Sequence, residues 1–212
     1  MLINPATAWG RSIIAGVGDY SRTRGGWVLR FESGNGRQDQ YLPKGWHGDG
    51  VIARIVSTEQ LEALLSVGVP VINIAESKLA RGVTTFQVDT GRIAQVAAEH
   101  FVGRGIRHFR FLGLKNFTPS RERYRLFHAA VAKSAESTGC FEIPQEFRTQ
   151  SQARNSREEL ITWLIKLPRP VGLFCWCDEQ ARLGIEACQL AVYAFPRTLR
   201  SLESTTTNWC AT

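Results

Sequence analysis

The sequence predicts an α/β fold of two lobes, each a parallel sheet flanked by helices. Strand patterns alternate along the chain with helical patterns of roughly 10–15 residues, which is typical of parallel βαβ units. One unit, a strand followed by an acidic helix cap, a helix and a glycine, recurs in both halves of the chain. A length of 212 residues is enough for two small lobes. Ligands of such sheets bind at the carboxyl ends of the strands, so we expect the ligand of this chain between its lobes.

The first half of the chain shows clear helix boundaries. Ser57 and Gln60 have the spacing of a capping box, and Gly68 ends the helix that follows. Asp89, or Thr90 beside it, caps the last helix of this half. The predicted strands are Leu2–Ile3, Trp27–Phe31, Val51–Val56, Pro70–Ile74 and Thr84–Val88. Three helices are predicted: Trp9–Tyr20, one that begins at Ser57, and one that ends at Phe101. A glycine-rich loop is predicted over 34–50.

The second half repeats the alternation. Gly103 and Gly105 end the preceding helix, and Ser120 and Asp178 are the predicted caps of two later helices. The predicted strands are His108–Leu112, Glu142–Arg148 and Val171–Cys177, and the predicted helices are Ser120–Ser137, Arg157–Lys166 and Glu179–Ala191.

The composition disfavours several classes of protein. Hydrophobic residues make up 43% and charged residues 21%, as in ordinary globular proteins. No apolar run approaches the roughly 20 residues that span a bilayer. The start MLINPATAWGR lacks the pattern of a signal peptide, so we expect a cytoplasmic protein without membrane contact. The five cysteines have no paired Cys or His spacing, and we therefore expect neither a zinc site nor a disulfide framework. We likewise expect no other metal and no cofactor.

The net charge of +7 comes from dispersed arginines, which favours a solvated surface over nucleic-acid contact. The chain contains no recognisable DNA-binding motif. This agrees with a protein whose own residues do not read DNA.

The segment Val88–Gly113, VDTGRIAQVAAEHFVGRGIRHFRFLG, is the most informative part of the chain. It resembles the pattern "A-A-x-H-L…G-H/F-x-x-I-x-F-x-G" of the lac-repressor superfamily of sugar-sensing transcription regulators. Four further segments resemble the bacterial xylose-operon activators of that superfamily. The segment Trp46–Ala53 is similar to their "W-x-G-D-G-V/I-I-A". The others are AWGR with IAGVGDY near the start, Glu122-Arg123 with Phe127, and Cys177–Ala181.

The resemblance implies a periplasmic-binding-protein type I sensor domain with an incomplete second lobe. It implies an N-terminal sugar-binding lobe over residues 1–103, a partial C-terminal lobe over 104–191, and an irregular tail over 192–212. In these activators an AraC-type DNA-binding domain follows the sensor, and we expect that domain to be missing here. The implied effector is a pentose, with xylose favoured, and the implied parent protein is a homodimer.

Four residues are candidate ligand contacts: Trp9, Asp89, Arg123 and Cys177. Arg123 stands at the position of the superfamily's sugar-binding arginine, Asp89 ends a strand, and Trp9 could stack on a sugar ring. At Cys177 many relatives have a polar residue that touches the ligand. Carboxylates and guanidinium groups suit sugar hydroxyls because they form charge-assisted hydrogen bonds. The alternatives are a helix cap for Asp89, a surface ion pair for Arg123 and packing at a lobe edge for Trp9.

The tail VYAFPRTLRSLESTTTNWCAT departs from the resemblance and has neither helical nor strand periodicity. Codons can be chosen for Val192–Trp209 that encode a different peptide when the reading frame is shifted by two bases. That peptide is Ile-Arg-Val-Pro-Glu-Asp-Val-Ala-Val-Ile-Gly-Val-Asp-Asn-Asp-Glu-Leu, which is the continuation expected of relatives. Codon freedom alone would rarely produce that strand, so we hypothesise that the gene has lost one base near Ala191. The lost strand would end in a sugar-holding aspartate, and we expect the second lobe to have an exposed apolar edge and weak stability.

Three functions compete. The favoured one is the ligand-sensing fragment of a sugar-responsive, xylose-type transcription regulator that responds to its pentose by lobe closure. The alternative is a sugar-binding transport protein of the same fold, which the missing signal peptide disfavours. An enzyme is disfavoured because Gly16 and Gly18 lie in a predicted helix, with Ser21 at the third position of a dinucleotide motif.

Overall fold

The computed structural model of the chain describes residues 1–32, 41–75, 82–145 and 149–194. The chain packs as two compact units, one from Met1 to Val88 and one from Asp89 onward. Each unit contains a parallel three-stranded sheet and helices, so the predicted α/β class is confirmed. In the part of the chain that is described, no helix is both long and apolar enough to pass through a bilayer.

The first unit is built on strands in the order β1-β2-β3. Parallel pairing sets Val51 beside Val71 and Ile72 beside Thr84. The predicted strand stub at the start of the chain is a single parallel bridge from Leu2 to Ala53. The elements are α1 (Ala8–Arg24), β1 (Val51–Ala53), α2 (Thr58–Leu65), β2 (Val71–Asn73) and β3 (Thr84–Thr85).

The core of the first unit joins this sheet to α2. Ser57 Oγ accepts a hydrogen bond from Gln60 N at 3.2 Å, which confirms the predicted helix cap. The buried Gln60 side chain also accepts from Val56 N at 2.9 Å and ties the helix start to the strand before it. Leucine, isoleucine and valine side chains fill the space between: Leu2, Val51, Ile55, Leu61, Leu64 and Val71.

Helix α1 is confirmed, but it buries little of its surface. Thr7 Oγ1 caps it by accepting from Gly10 N at 3.0 Å, and Gly10 is its one buried residue. A Cβ at Gly10 would lie 2.0 Å from the carbonyl oxygen of Asn4, so only glycine fits there.

The predicted strand at Trp27–Phe31 is wrong. Val28 is 87% exposed, and the rings of Trp27 and Phe31 are also exposed. The segment contacts Met1, whose carbonyl accepts from Glu32 N at 3.1 Å and whose amino group donates to the Arg30 carbonyl. It also contacts α1, where Ser21 Oγ donates to the Trp27 carbonyl at 3.4 Å. The apolar pattern predicted a strand, but a ladder of backbone hydrogen bonds with a neighbouring strand does not form here.

The second unit is built on strands in the order β5-β4-β6, again all parallel. Register pairs His108 with Ser137 on one side and with Val171 on the other. Within residues 89–145 and 149–194, β6 pairs with β4 alone. The elements are α3 (Thr90–Gly103), β4 (His108–Leu114), α4 (Thr118–Val131), β5 (Ser137–Ile143), α5 (Gln150–Ile165), β6 (Val171–Cys175) and α6 (Asp178–Ala194).

Two helical layers cover the faces of this sheet. Helices α3 and α4 pack on one face around Ala98, Phe109 and Phe127. Helices α5 and α6 pack on the other face around Leu112 and Leu164. The central strand β4 is therefore buried on both sides, which is the reason for its apolar run FLGL.

Packing places the boundary between the units at residue 88, whereas the sequence analysis put the lobe boundary at residue 103. Helix α3 causes the difference. Its Ala94 and Ala98 are buried against Phe109 and Phe127 of the second unit.

The predicted helix Ser120–Ser137 is displaced in the structure. Helix α4 begins at Thr118 and ends at Val131, and Ser137 belongs to β5. The strand predicted from Glu142 begins earlier, and residues 146–148 of that prediction lie outside the described residues. So do residues 34–40 of the predicted loop and the tail beyond Ala194.

Candidate functional site

Arg123 lies on α4 near the carboxyl end of the second unit's sheet. Its side chain is buried, with 8% of the residue exposed. Nη1 donates to the carbonyl oxygen of Trp176 at 2.6 Å, and Cζ lies 4.2 Å from the centre of the Trp176 ring. The alternative of a surface ion pair assumed an exposed side chain, whereas this one is buried. The same neighbour therefore holds the guanidinium through both its backbone and its ring.

Trp176 follows the last residue of β6 directly. Its backbone N donates to the carbonyl of Leu112 at 2.9 Å, which continues the pairing of β6 with β4 by one residue. The indole meets the Phe117 ring edge to face, with centroids 5.3 Å apart and planes at 81°. Phe117 precedes the first residue of α4, so two aromatic rings and one guanidinium meet where α4 begins and β6 ends.

Ser120 does not cap α4 as predicted. The residue at the cap position is Phe117, which makes no side-chain cap hydrogen bond. Instead Ser120 Oγ accepts from the backbone N of Leu114 at 3.0 Å and joins the helix to the end of β4. The helix approaches so closely that a Cβ at Gly113 would lie 2.7 Å from this oxygen. Arg123 therefore has a fixed position relative to the sheet.

Cys177 lies beside Trp176 and is half-buried. Its thiol donates to Gln180 Oε1 at 2.8 Å, and its carbonyl accepts from Ala181 N, so Cys177 stands at the start of α6 where Asp178 was the predicted cap. Burial raises the pKa of the Cys177 thiol, and the backbone N–H groups of Gln180 and Glu179 oppose the shift. The thiol is therefore the neutral donor of this pair near pH 7.

Asp89 caps α3, as one of its two predicted roles requires. Its Oδ1 accepts from Arg92 N at 2.8 Å, and its carbonyl accepts from Ile93 N. The residue is exposed, so the cap leaves the carboxylate in contact with solvent. A helix cap and a ligand contact are compatible at such a position.

Trp9 belongs to the first unit, at the second position of α1, and 41% of it is exposed. The other three predicted residues belong to the second unit. There the structure brings Arg123 into contact with Trp176, the residue before Cys177, whereas Asp89 lies at the start of a different helix.

Sequence reasoning missed Trp176, Phe117 and the supporting role of Ser120. The signal for Trp176 is its position directly after a strand, between Cys175 and Cys177, where parallel sheets place their ligand contacts. Nothing local in the sequence indicates Phe117. Among the described residues, no group of three or more His, Cys, Asp and Glu side chains could hold a metal ion.

Two family models match the chain. Residues 1–83 match the model described as XylR N-terminal domain, and residues 98–202 match the model described as periplasmic binding protein-like domain. The second match runs beyond Ala191 into the tail. Together they confirm the predicted periplasmic-binding-protein-like fold.

Two curated proteins are similar to the chain over most of its length. The xylose operon regulatory protein of Escherichia coli strain K12 is 27% identical over 202 residues, which span 89% of this chain and 50% of that protein. The protein of the same name from Haemophilus influenzae is 26% identical and aligns with 94% of this chain and 53% of its own length. The chain thus spans about half the length of these relatives.

A solved structure of the xylose-binding transcription activator XylR shares the fold. The TM-score is 0.71 at 24% identity, over 89% of this chain and 49% of that one. The family models and the curated relatives together bear out the resemblance stated from sequence motifs, and this structure bears out its fold.

Proposed function

We propose that this chain, a relative of the xylose operon regulatory proteins in both of its halves, is the sugar-sensing part of a transcription regulator. The observation that carries the proposal is Arg123, a buried guanidinium held at the carboxyl end of a parallel sheet between helix and aromatic ring. Guanidinium N–H groups donate charge-assisted hydrogen bonds, which suit the hydroxyl oxygens of a sugar. Asp89, with an exposed carboxylate, and Trp9, with an exposed ring, stay predicted ligand contacts.

We propose a pentose as the effector, with xylose as the first choice. The names of the curated relatives support this choice, since both are xylose operon regulators. The same names favour a regulator over a sugar transport protein and over an enzyme. For the parent protein we propose a cytoplasmic homodimer that contacts DNA through an AraC-type domain outside this chain.

Calorimetric titration of the chain with D-xylose, L-arabinose and D-ribose tests the proposal. We expect one of the three to bind. Removing the guanidinium by Arg123→Met should weaken that binding at least tenfold, because a hydrogen bond to a charged group contributes about 1.5–3 kcal/mol.

Arg125→Met is the matched control. Arg125 lies on the same helix, is exposed, and pairs with Glu122 at 2.7 Å. We expect its affinity to equal that of the parent chain. Failure of all three sugars to bind, or equal affinities for Arg123→Met and Arg125→Met, would overturn the proposal.

A further inference from the structure

We propose that the indole of Trp176 is a positioning residue that sets the affinity of the site by fixing the orientation of the Arg123 guanidinium. This inference rests on the proposed function. It assigns a role to a residue that the sequence motifs do not mark.

Trp176 contacts the Arg123 guanidinium in two ways. Its Nη1 donates to the Trp176 carbonyl at 2.6 Å, and its Cζ lies 4.2 Å from the ring centre of the same residue. A hydrogen bond alone leaves a guanidinium able to rotate about the bond. A ring face within 6 Å of the cation adds a second restraint of independent direction.

The indole itself is also held in place. The Trp176 backbone is fixed to β4 by its hydrogen bond to Leu112, and its ring abuts Phe117 at 5.3 Å. Phe117 leads into α4, the helix that carries Arg123. The ring is thus held between the end of a central sheet and the start of the helix whose side chain it positions.

The indole lies over the guanidinium carbon, 4.2 Å from the ring centre. The N–H groups of a guanidinium point outward in the plane of the group, away from a ring that lies over its face. The ring therefore restrains the group without accepting a hydrogen bond from it. Orienting these N–H groups before the ligand arrives reduces the entropy lost on binding.

The direct alternative is that Trp176 itself stacks on the sugar. The two roles differ in their dependence on Arg123. A positioning role disappears when the guanidinium is removed, whereas a direct contact persists.

The experiment is a double-mutant cycle read by pentose titration. We expect Trp176→Leu to weaken binding roughly 2- to 30-fold, the range of a cation–π interaction. Trp176→Tyr keeps a π face and should recover most of the loss. In the Arg123→Met background, Trp176→Leu should cause no further loss.

Trp163→Leu is the matched control for a structural effect. Trp163 is also half-buried, in α5 of the same unit, and its ring stacks near Phe141 at 5.2 Å. We expect this variant to lower the melting temperature while leaving the affinity unchanged.

The outcomes separate the two proposals. A parent chain that binds no pentose refutes the proposed function. Two outcomes refute the positioning role alone, provided that the parent chain binds a pentose. In one, Trp176→Leu has the same affinity as the parent chain. In the other, Trp176→Leu lowers the affinity equally with and without Arg123→Met.

Discussion

Replacing Gly172 by alanine should destabilise the second unit, although alanine is usually the better residue in a strand. Its Cβ would lie 2.8, 2.9 and 3.0 Å from three ring carbons of Phe101. The Phe101 ring cannot withdraw easily, because it packs against Phe109 at 6.4 Å and Phe127 at 6.2 Å between centroids. Overpacking of this kind costs about 1–3 kcal/mol. The lower entropy of the unfolded alanine chain offsets roughly 0.4–1 kcal/mol of that.

Gly139→Ala is the control, and we expect it to stabilise the second unit rather than destabilise it. Gly139 sits on the other outer strand of the same sheet. Its nearest neighbour would be Cδ of the flexible Arg110 side chain at 3.5 Å, an ordinary contact. Only the entropic gain remains, so this variant should be about 0.4–1 kcal/mol more stable than the parent.

The measurement is urea-dependent hydrogen exchange of peptides from β4, the central strand of the unit. A chain with two compact units need not unfold in one step, and a probe inside one unit avoids that complication. The free energy of opening should fall by up to about 2.6 kcal/mol in Gly172→Ala and rise in Gly139→Ala. Equal stability of the two variants would show that the aromatic cluster yields to the added methyl group, and the reasoning would be wrong.

Three further predictions concern the site and the tail. Asp89→Ala should destabilise α3 by about 1 kcal/mol and weaken pentose binding, whereas Asp89→Asn should keep the cap and lose affinity alone; equal affinity of Asp89→Asn and the parent in calorimetry would leave only the cap. The pKa of the Cys177 thiol is raised, so at pH 8 it should react with iodoacetamide more slowly than an ordinary thiol. It should remain the slower of the two thiols in Gln180→Ala. Labelling of Cys177 as fast as that of an ordinary thiol would refute this prediction. Resequencing the gene near Ala191 should show the loss of one base, and restoring it should raise the unfolding free energy of the second unit; an intact frame in the native locus would end that hypothesis.

Local signals predicted most of the fold. The caps at Ser57 and Asp89 satisfy backbone N–H groups three residues away, so a short window of sequence contains both partners. The alternation of strands and helices is likewise predicted from periodic patterns of residues that are close together in the sequence. The wrong strand at Trp27–Phe31 needed a partner strand to form, and a segment's own apolar pattern cannot show whether that partner exists.

The site was harder to predict because its contacts join distant parts of the chain. Arg123 and Trp176 are 53 residues apart, and no spacing rule links them. Ser120 has the chemistry of a helix cap but bonds to a strand six residues earlier. Family resemblance indicated Arg123 as a ligand contact, whereas only the fold shows what holds its side chain in place.

The hydrogen bond from Leu114 to Ser120 also affects how this region can diverge. It ties the helix to the strand directly, so the exposed side chain of Lys115 in the turn between them does little to position Arg123. Asn116 beside it is more constrained, because its φ is 56° and its Oδ1 accepts from Arg121 of the helix at 3.1 Å. Substitutions at Lys115 can accumulate while the arginine keeps its place. Change at Ser120 or at Gly113 would instead move the whole helix, and we expect natural variation in the turn to be concentrated at Lys115.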